Sequence, residues 1–217
     1  AILTSLNSML EETKLRLFEL NRKRNSMEEE MNMLLMDLRS PRGENGAIVG
    51  YCAFLQRCHF ATYQGDATAQ LKLGNMYMTG EGMQKNEVAA VKWFRKAADQ
   101  GVVEAEFNLG LSYSLGEGVP QSAVEAIKWF RKAAEHGNPE AQYALGNIYS
   151  SGAGIPERDA EAVDWYRKAA DQGYTDAQVR LGLMYESGEG LRQNNISALA
   201  WWSVAKMLGN KTAGNNL

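Results

Sequence analysis

The sequence is poor in the residues from which active sites and cross-linked scaffolds are usually built. Its 217 residues include two cysteines, two histidines and four prolines. Cys52 and Cys58 make no disulfide framework. Six residues apart on a helix, they stand about 240° around and roughly 9 Å along the axis, too far to bridge. They read as two free thiols, which leaves the redox compartment open. His59 and His136 are isolated, with no metal-ligand spacing to each other or to the cysteines. There is no surplus of positive charge either. A net charge of −3 and a pI near 5.6 make nucleic acid and anionic membrane poor default partners. No run of 18 or more apolar residues escapes polar interruption, so no membrane span is expected. Nor does a charged segment followed by an apolar run open the chain. These absences predict a soluble protein, cytoplasmic or periplasmic, with no signal peptide in the given chain. With no Ser/His/Asp set, Cys/His dyad or isolated carboxylate pair, neither an enzyme nor a cofactor nor a metal is expected.

Periodicity is abundant. Gly74, Gly110, Gly146 and Gly182 recur every 36 residues, and Tyr77, Tyr113, Tyr149 and Tyr185 keep the same spacing. So do Trp93, Trp129, Trp165 and Trp201, and the loop and helix-end glycines such as Gly80 and Gly101. A fixed period of this length is the signature of a solenoid, in which each unit buries its apolar face against its neighbours. The units run 66–101, 102–137, 138–173 and 174–209, each reading as helix, short loop, helix. In the first, a helix over about 67–79 places Ala69, Leu73, Met76 and Tyr77 on one face and ends at Gly80, where φ > 0 is needed. A second helix over about 86–100 buries Ala90, Trp93, Phe94 and Ala97. A glycine inside a helix costs about 1 kcal/mol against alanine. Its return at Gly74, Gly110, Gly146 and Gly182 therefore predicts that the paired helix, or its tryptophan, comes close to the backbone there.

The core A-x-x-x-L-G-x-x-Y-x-x-G-x-G, followed by A-x-x-W-[FY]-R-K-A-A-[DE]-x-G, resembles the Sel1-like repeat, a relative of the tetratricopeptide repeat. The resemblance covers residues 66–209 and is nearly complete in the first three units. It implies an all-α fold, a right-handed α/α superhelical solenoid that serves as an adaptor surface for other proteins. Such repeats are widespread in bacteria and occur in eukaryotic quality-control and signalling proteins. The motif residues are structural in that family, so nothing catalytic transfers with them.

Residues 1–38 follow a different period. Leu3, Leu6, Leu10, Leu17, Leu20, Met27, Met31, Leu34 and Leu38 lie on a heptad seam broken by Thr13 and Arg24. Two readings stay open. One is a coiled-coil helix that makes a homo-oligomer. The other is a helical hairpin, with a basic end at 21–25 and a capping-box restart at Ser26–Glu29. Residues 40–47 are a linker by composition. Residues 48–65 match the phase of a second repeat helix and read as a degenerate unit capping the stack.

Where the repeat fails to repeat, function is expected. On the first helices one varying phase holds Lys72, Asn108, Ala144 and Arg180, and another, three residues on, holds Asn75, Leu111, Asn147 and Leu183. Together they form one stripe, with Phe107 and Tyr143 beside it as candidate anchors. In this superhelix type the first helices line the concave face. The fourth unit carries Val204, Met207 and Leu208 where earlier units are charged or polar, and together with Trp201 and Trp202 they make a candidate second interface unless the tail 210–217 covers it. The Arg95-Lys96, Arg131-Lys132 and Arg167-Lys168 pairs read as a solvated ladder balanced at i+4 by Asp99, Glu135 and Asp171. The function expected is a non-enzymatic adaptor that holds another protein on the concave face. The alternative, implied by bacterial members of the family, is an inhibitor or immunity protein occluding a cognate enzyme or toxin.

Overall fold

In a computed structural model, residues 62, 65–152 and 158–215 are described. The expectations for residues 1–47, the seam from Leu3 to Leu34 among them, lie outside these residues, as do Cys52 and Cys58. Among the described residues there are eight α-helices and no strand. They are α1 (Ala67–Thr79), α2 (Glu87–Ala98), α3 (Val103–Leu115), α4 (Ala123–Glu135), α5 (Pro139–Ser151), α6 (Asp159–Asp171), α7 (Thr175–Ser187) and α8 (Asn195–Met207). A short 3-10 turn, Thr212–Asn215, follows. The helices pair as hairpins, and each hairpin packs on the next, giving the α/α solenoid that the period predicts. None of them is long and apolar enough to cross a membrane.

Local chemistry fixes each hairpin. Asp66, Asn86, Ser122, Asn138 and Asn194 cap helix N-termini with side-chain oxygens that accept backbone N–H groups. The first helices end at Gly80, Gly116, Gly152 and Gly188, each in the left-handed region. Across every hairpin the N–H at the start of the second helix donates to the repeated tyrosine's carbonyl, as Asn86 does to Tyr77 at 2.9 Å. At the repeat junction the N–H groups of Val102, Asn138 and Tyr174 return to Ala97, Ala133 and Ala169, and Asn210 makes the same turn on Ala205 at 2.9 Å.

The helix-interior glycines lie at a close approach, as expected, but the ring that meets them follows the repeated tryptophan in sequence. A Cβ on Gly74 would lie 2.6 Å from the Phe94 ring, and one on Gly146 would lie 2.5 Å from Tyr166. Gly110 faces Phe130 in the same way, and Gly182 faces Trp202. The tryptophans of the first three units instead seat the lysine ammonium groups. Lys96, Lys132 and Lys168 lie 4.1, 4.4 and 3.9 Å over the rings of Trp93, Trp129 and Trp165. The arginines do not form the expected i+4 ion pairs. Arg95, Arg131 and Arg167 donate instead to the hydroxyls of Tyr113, Tyr149 and Tyr185 in the next unit, at 2.7, 2.5 and 3.2 Å. The guanidinium reaches past its own helix because the repeat junction brings the next tyrosine close. The ladder is therefore a staple between units.

A second staple closes the hairpin within a unit, an exposed side chain reaching a buried one. Gln70, Glu106, Gln142 and Gln178 occupy one phase of the first helices and are almost wholly enclosed. Gln100 and Gln172 donate to Gln70 and Gln142 at 2.8 Å, while His136 Nδ1 lies 2.8 Å from Glu106 Oε2. In the fourth unit Leu208 stands at this phase, and Gln178 Oε1 has no partner.

Candidate protein-binding face

The alanine, leucine and glycine that repeat inside the first helices are buried. Ala69, Leu73, Gly74 and Tyr77, with Ala105, Leu109 and Gly110, and their later equivalents Ala141, Leu145 and Gly146, point into the stack. The varying stripe lies on the open side of α1, α3, α5 and α7: Lys72, Leu111 and Arg180 are exposed, and Asn75, Asn108, Asn147 and Leu183 are half-buried. The first helices of neighbouring units touch along it. Asn108 Nδ2 donates to Asn75 Oδ1 at 3.1 Å, joining α1 to α3. Asn147 Oδ1 accepts the Tyr166 hydroxyl at 2.8 Å, and the Tyr143 hydroxyl bonds Arg180, joining α5 to α7.

Phe107 and Tyr143 are half-buried and pack against neighbouring helices. Phe107 tilts against Phe130 at 5.8 Å between centroids, and Tyr143 lies 5.7 Å from Tyr166 and 5.2 Å from Tyr174. Packing of this kind holds the remaining edge of each ring in one orientation, which lowers the ordering cost of contact. Burial drives the electrostatics here. It pushes the Tyr166 hydroxyl up to about 12, against the opposing charge of Arg180. Burial also raises Tyr174, with Asp176 reinforcing it. The hydrogen bond with Tyr143 raises Arg180 above its ordinary value.

Not every residue marked out by the sequence stays on a surface. Trp202 is 4% exposed, with its ring over Gly182 and its Nε1 donating to the Val179 carbonyl at 3.3 Å. It fills the place of Phe94, Phe130 and Tyr166, so it belongs to the core. Leu183 packs with Val179, Ala205 and Ala213 at the end of the stack. Trp201 and Val204 are half-buried, while Met207 and Leu208 stay exposed. The tail thus covers part of the fourth unit through Ala213 and leaves the rest open.

Sequence reasoning passed over Leu115, 62% exposed one turn beyond Leu111 on α3. It also missed the first-turn carboxylates Glu104, Glu140 and Asp176, all exposed. The signal was available: Leu115 stands where the other units have Thr79, Ser151 and Ser187. No group of three or more His, Cys, Asp or Glu among the described residues is arranged to hold a metal.

The comparisons agree with the geometry. The Sel1 repeat matches residues 67–102, 103–138, 139–174 and 175–210. Similar solved structures include a protective antigen present in uropathogenic Escherichia coli strains that displays an SLR fold. It is 41% identical with a TM-score of 0.73, over 75% of this chain and 35% of that one. A Sel1 repeat protein from Oxalobacter formigenes is 36% identical with a TM-score of 0.66, over 70% and 62% of the two chains. An immunity protein from Pseudomonas aeruginosa is 26% identical with a TM-score of 0.50, over 75% and 60%. The chain thus spans about a third of the first relative and less than two thirds of the second. No curated protein matches it. Four consecutive repeat matches, the eight-helix solenoid and the 41% identical relative lead to one conclusion: the chain belongs to the Sel1 repeat family.

Proposed function

We propose that this chain is a non-enzymatic adaptor that holds another protein on the concave face formed by α1, α3, α5 and α7. One observation carries the reading. Among the varying positions of the first helices Lys72, Leu111 and Arg180 are exposed, while the repeated Ala69, Leu73, Leu109, Ala141, Leu145 and Leu181 are buried in the stack. Side chains that packing leaves wholly or partly exposed are the ones available for recognition. Leu111 and Leu115 would supply apolar contact, Phe107 and Tyr143 held aromatic edges, and Lys72, Asn75, Asn108 and Arg180 polar contacts.

The test uses exposed residues only, because Asn147 holds the Tyr166 hydroxyl and its loss would disturb the core. Affinity capture with the wild type and with Lys72→Ala/Leu111→Ser/Leu115→Ser should yield a partner that the variant fails to retain, at matched melting temperatures. Equal capture by both would overturn the reading. Likeness to the Pseudomonas immunity protein favours a second reading, an inhibitor or immunity role. It predicts that the captured partner is an enzyme or toxin whose activity is abolished at one-to-one stoichiometry.

A further inference from the structure

The outer face of α8 differs from the outer faces of α2, α4 and α6. At the phases of Ala200, Val204, Met207 and Leu208, the first unit has Lys92, Lys96, Asp99 and Gln100, all exposed. The second has Lys128, Lys132, Glu135 and His136, and the third Asp164, Lys168, Asp171 and Gln172, again all exposed. These phases stay in solvent even where another unit follows, so their apolar character in the fourth unit is not a consequence of its place in the stack. With Ile196 they make a stripe at i, i+4, i+8 on the side opposite Ala198, Trp202 and Ala205. Met207 and Leu208 are 78% and 57% exposed. The 3-10 turn packs against α8 through Ala213, which meets Val179 and Ala205; Val204 is half-buried, while Ala200, Met207 and Leu208 are exposed. Leu208 also displaces the donor that its equivalents give to the buried amide or carboxylate, leaving Gln178 Oε1 unpaired. The fourth unit thus gives up a buried hydrogen bond and exposes a leucine in its place. That exchange is unfavourable unless something covers the leucine.

We propose that this stripe docks a second copy of the chain, α8 packing on α8 about a two-fold axis. The stripe is close to palindromic: Ile196 pairs with Leu208 and Ala200 with Val204, each pair centred on residue 202. Self-complementarity of this kind is what an isologous two-fold interface requires. The i, i+4, i+8 ridge suits helix-on-helix packing, and the small Ala200 lets the axes approach. Lys206 is the only charged residue of α8, and it lies off the stripe, so two copies meet without like-charge repulsion. One helix face is small for an interface, below the roughly 1,200 Å² total of stable ones, so the expected association is micromolar and reversible.

The test writes the first unit's residues into the fourth: Ala200→Lys, Val204→Lys and Leu208→Gln, copying Lys92, Lys96 and Gln100. These side chains are already carried by a folded unit at the same phases, so the variant keeps its fold, confirmed by an unchanged or higher melting temperature. Sedimentation velocity from 1 to about 200 μM should show a concentration-dependent monomer–dimer equilibrium for the wild type and a monomer throughout for the variant. A wild type that stays monomeric over that range overturns the proposal. Equal association of wild type and variant overturns it too, because the contact then lies outside the stripe.

Discussion

Replacing Gly146 with alanine separates close packing from helix propensity, because the two predict opposite signs. In an open helix the change would stabilise by about 1 kcal/mol. Here the new Cβ would lie 2.5 Å from Cδ1 and Cε1 of Tyr166, about 1 Å inside ordinary contact. The ring has little room to retreat. Tyr166 is buried, its hydroxyl is held by Asn147 and its face by Tyr143. Overpacking of a filled site costs typically 1–3 kcal/mol, and the separation of α5 from α6 would also loosen their contacts with neighbouring units. Net destabilisation of about 1–2 kcal/mol is expected. For a chain of this size that lowers the melting temperature by roughly 2–8 °C, read by circular dichroism at 222 nm and checked by urea midpoint. A variant as stable as wild type, or more so, would refute the claim that the interior glycines exist to admit the ring.

Five further outcomes follow from contacts of the same kinds. Trp202→Ala should cost about 3–5 kcal/mol, because the ring fills the space over Gly182 and its Nε1 bonds Val179; a loss under 1 kcal/mol in urea titration would place it at the surface. Leu208→Gln should stabilise the monomer by about 1 kcal/mol, by restoring a donor to Gln178 Oε1, and unchanged melting at low concentration would contradict this. His136→Ala should destabilise by about 1 kcal/mol, since it removes the hydrogen-bond partner of Glu106, 2% exposed, from a solvent-facing position. Glu106→Gln/His136→Gln, which copies the first and third units, should be nearly neutral in the same titration. Tyr166, held at about 12 by burial, sets a pH dependence. Above pH 10 the unfolded chain gives up this proton while the folded one keeps it. Stability should therefore be whole below pH 10 and fall as pH rises towards 12, by up to roughly 2–3 kcal/mol. Flat urea midpoints between pH 9 and 11.5 would rule this out.

The fold was legible because a solenoid is written once and then copied. Gly74, Tyr77, Gly80 and Trp93 recur at one spacing, and each marks a helix, a stop or a packing surface. Particular partners were less legible. Trp93 and Phe94 are adjacent, and only the crossing of α1 with α2 decides that Phe94 meets Gly74 while Trp93 lies under Lys96. Arg95 has Asp99 one turn away, yet the repeat junction brings the Tyr113 hydroxyl within 2.7 Å, a contact set by superhelical geometry and not by sequence separation. The pairing of exposed His136 with buried Glu106 escaped notice because the two lie 30 residues apart and His136 reads as a helix end. The candidate face was found by asking which phases vary. Its leucine pair was half missed, since Leu115 lies at a phase where the other units are polar.

The most direct measurement is a calorimetric titration of the captured partner against the wild type and Leu111→Ser/Leu115→Ser. The two leucines lie on the open side of α3 and the invariant residues do not change, so the melting temperature should hold. The account predicts binding at least tenfold weaker, about 1.4 kcal/mol. The same Kd for both proteins would contradict the claim that partners are read by the positions where the repeat varies.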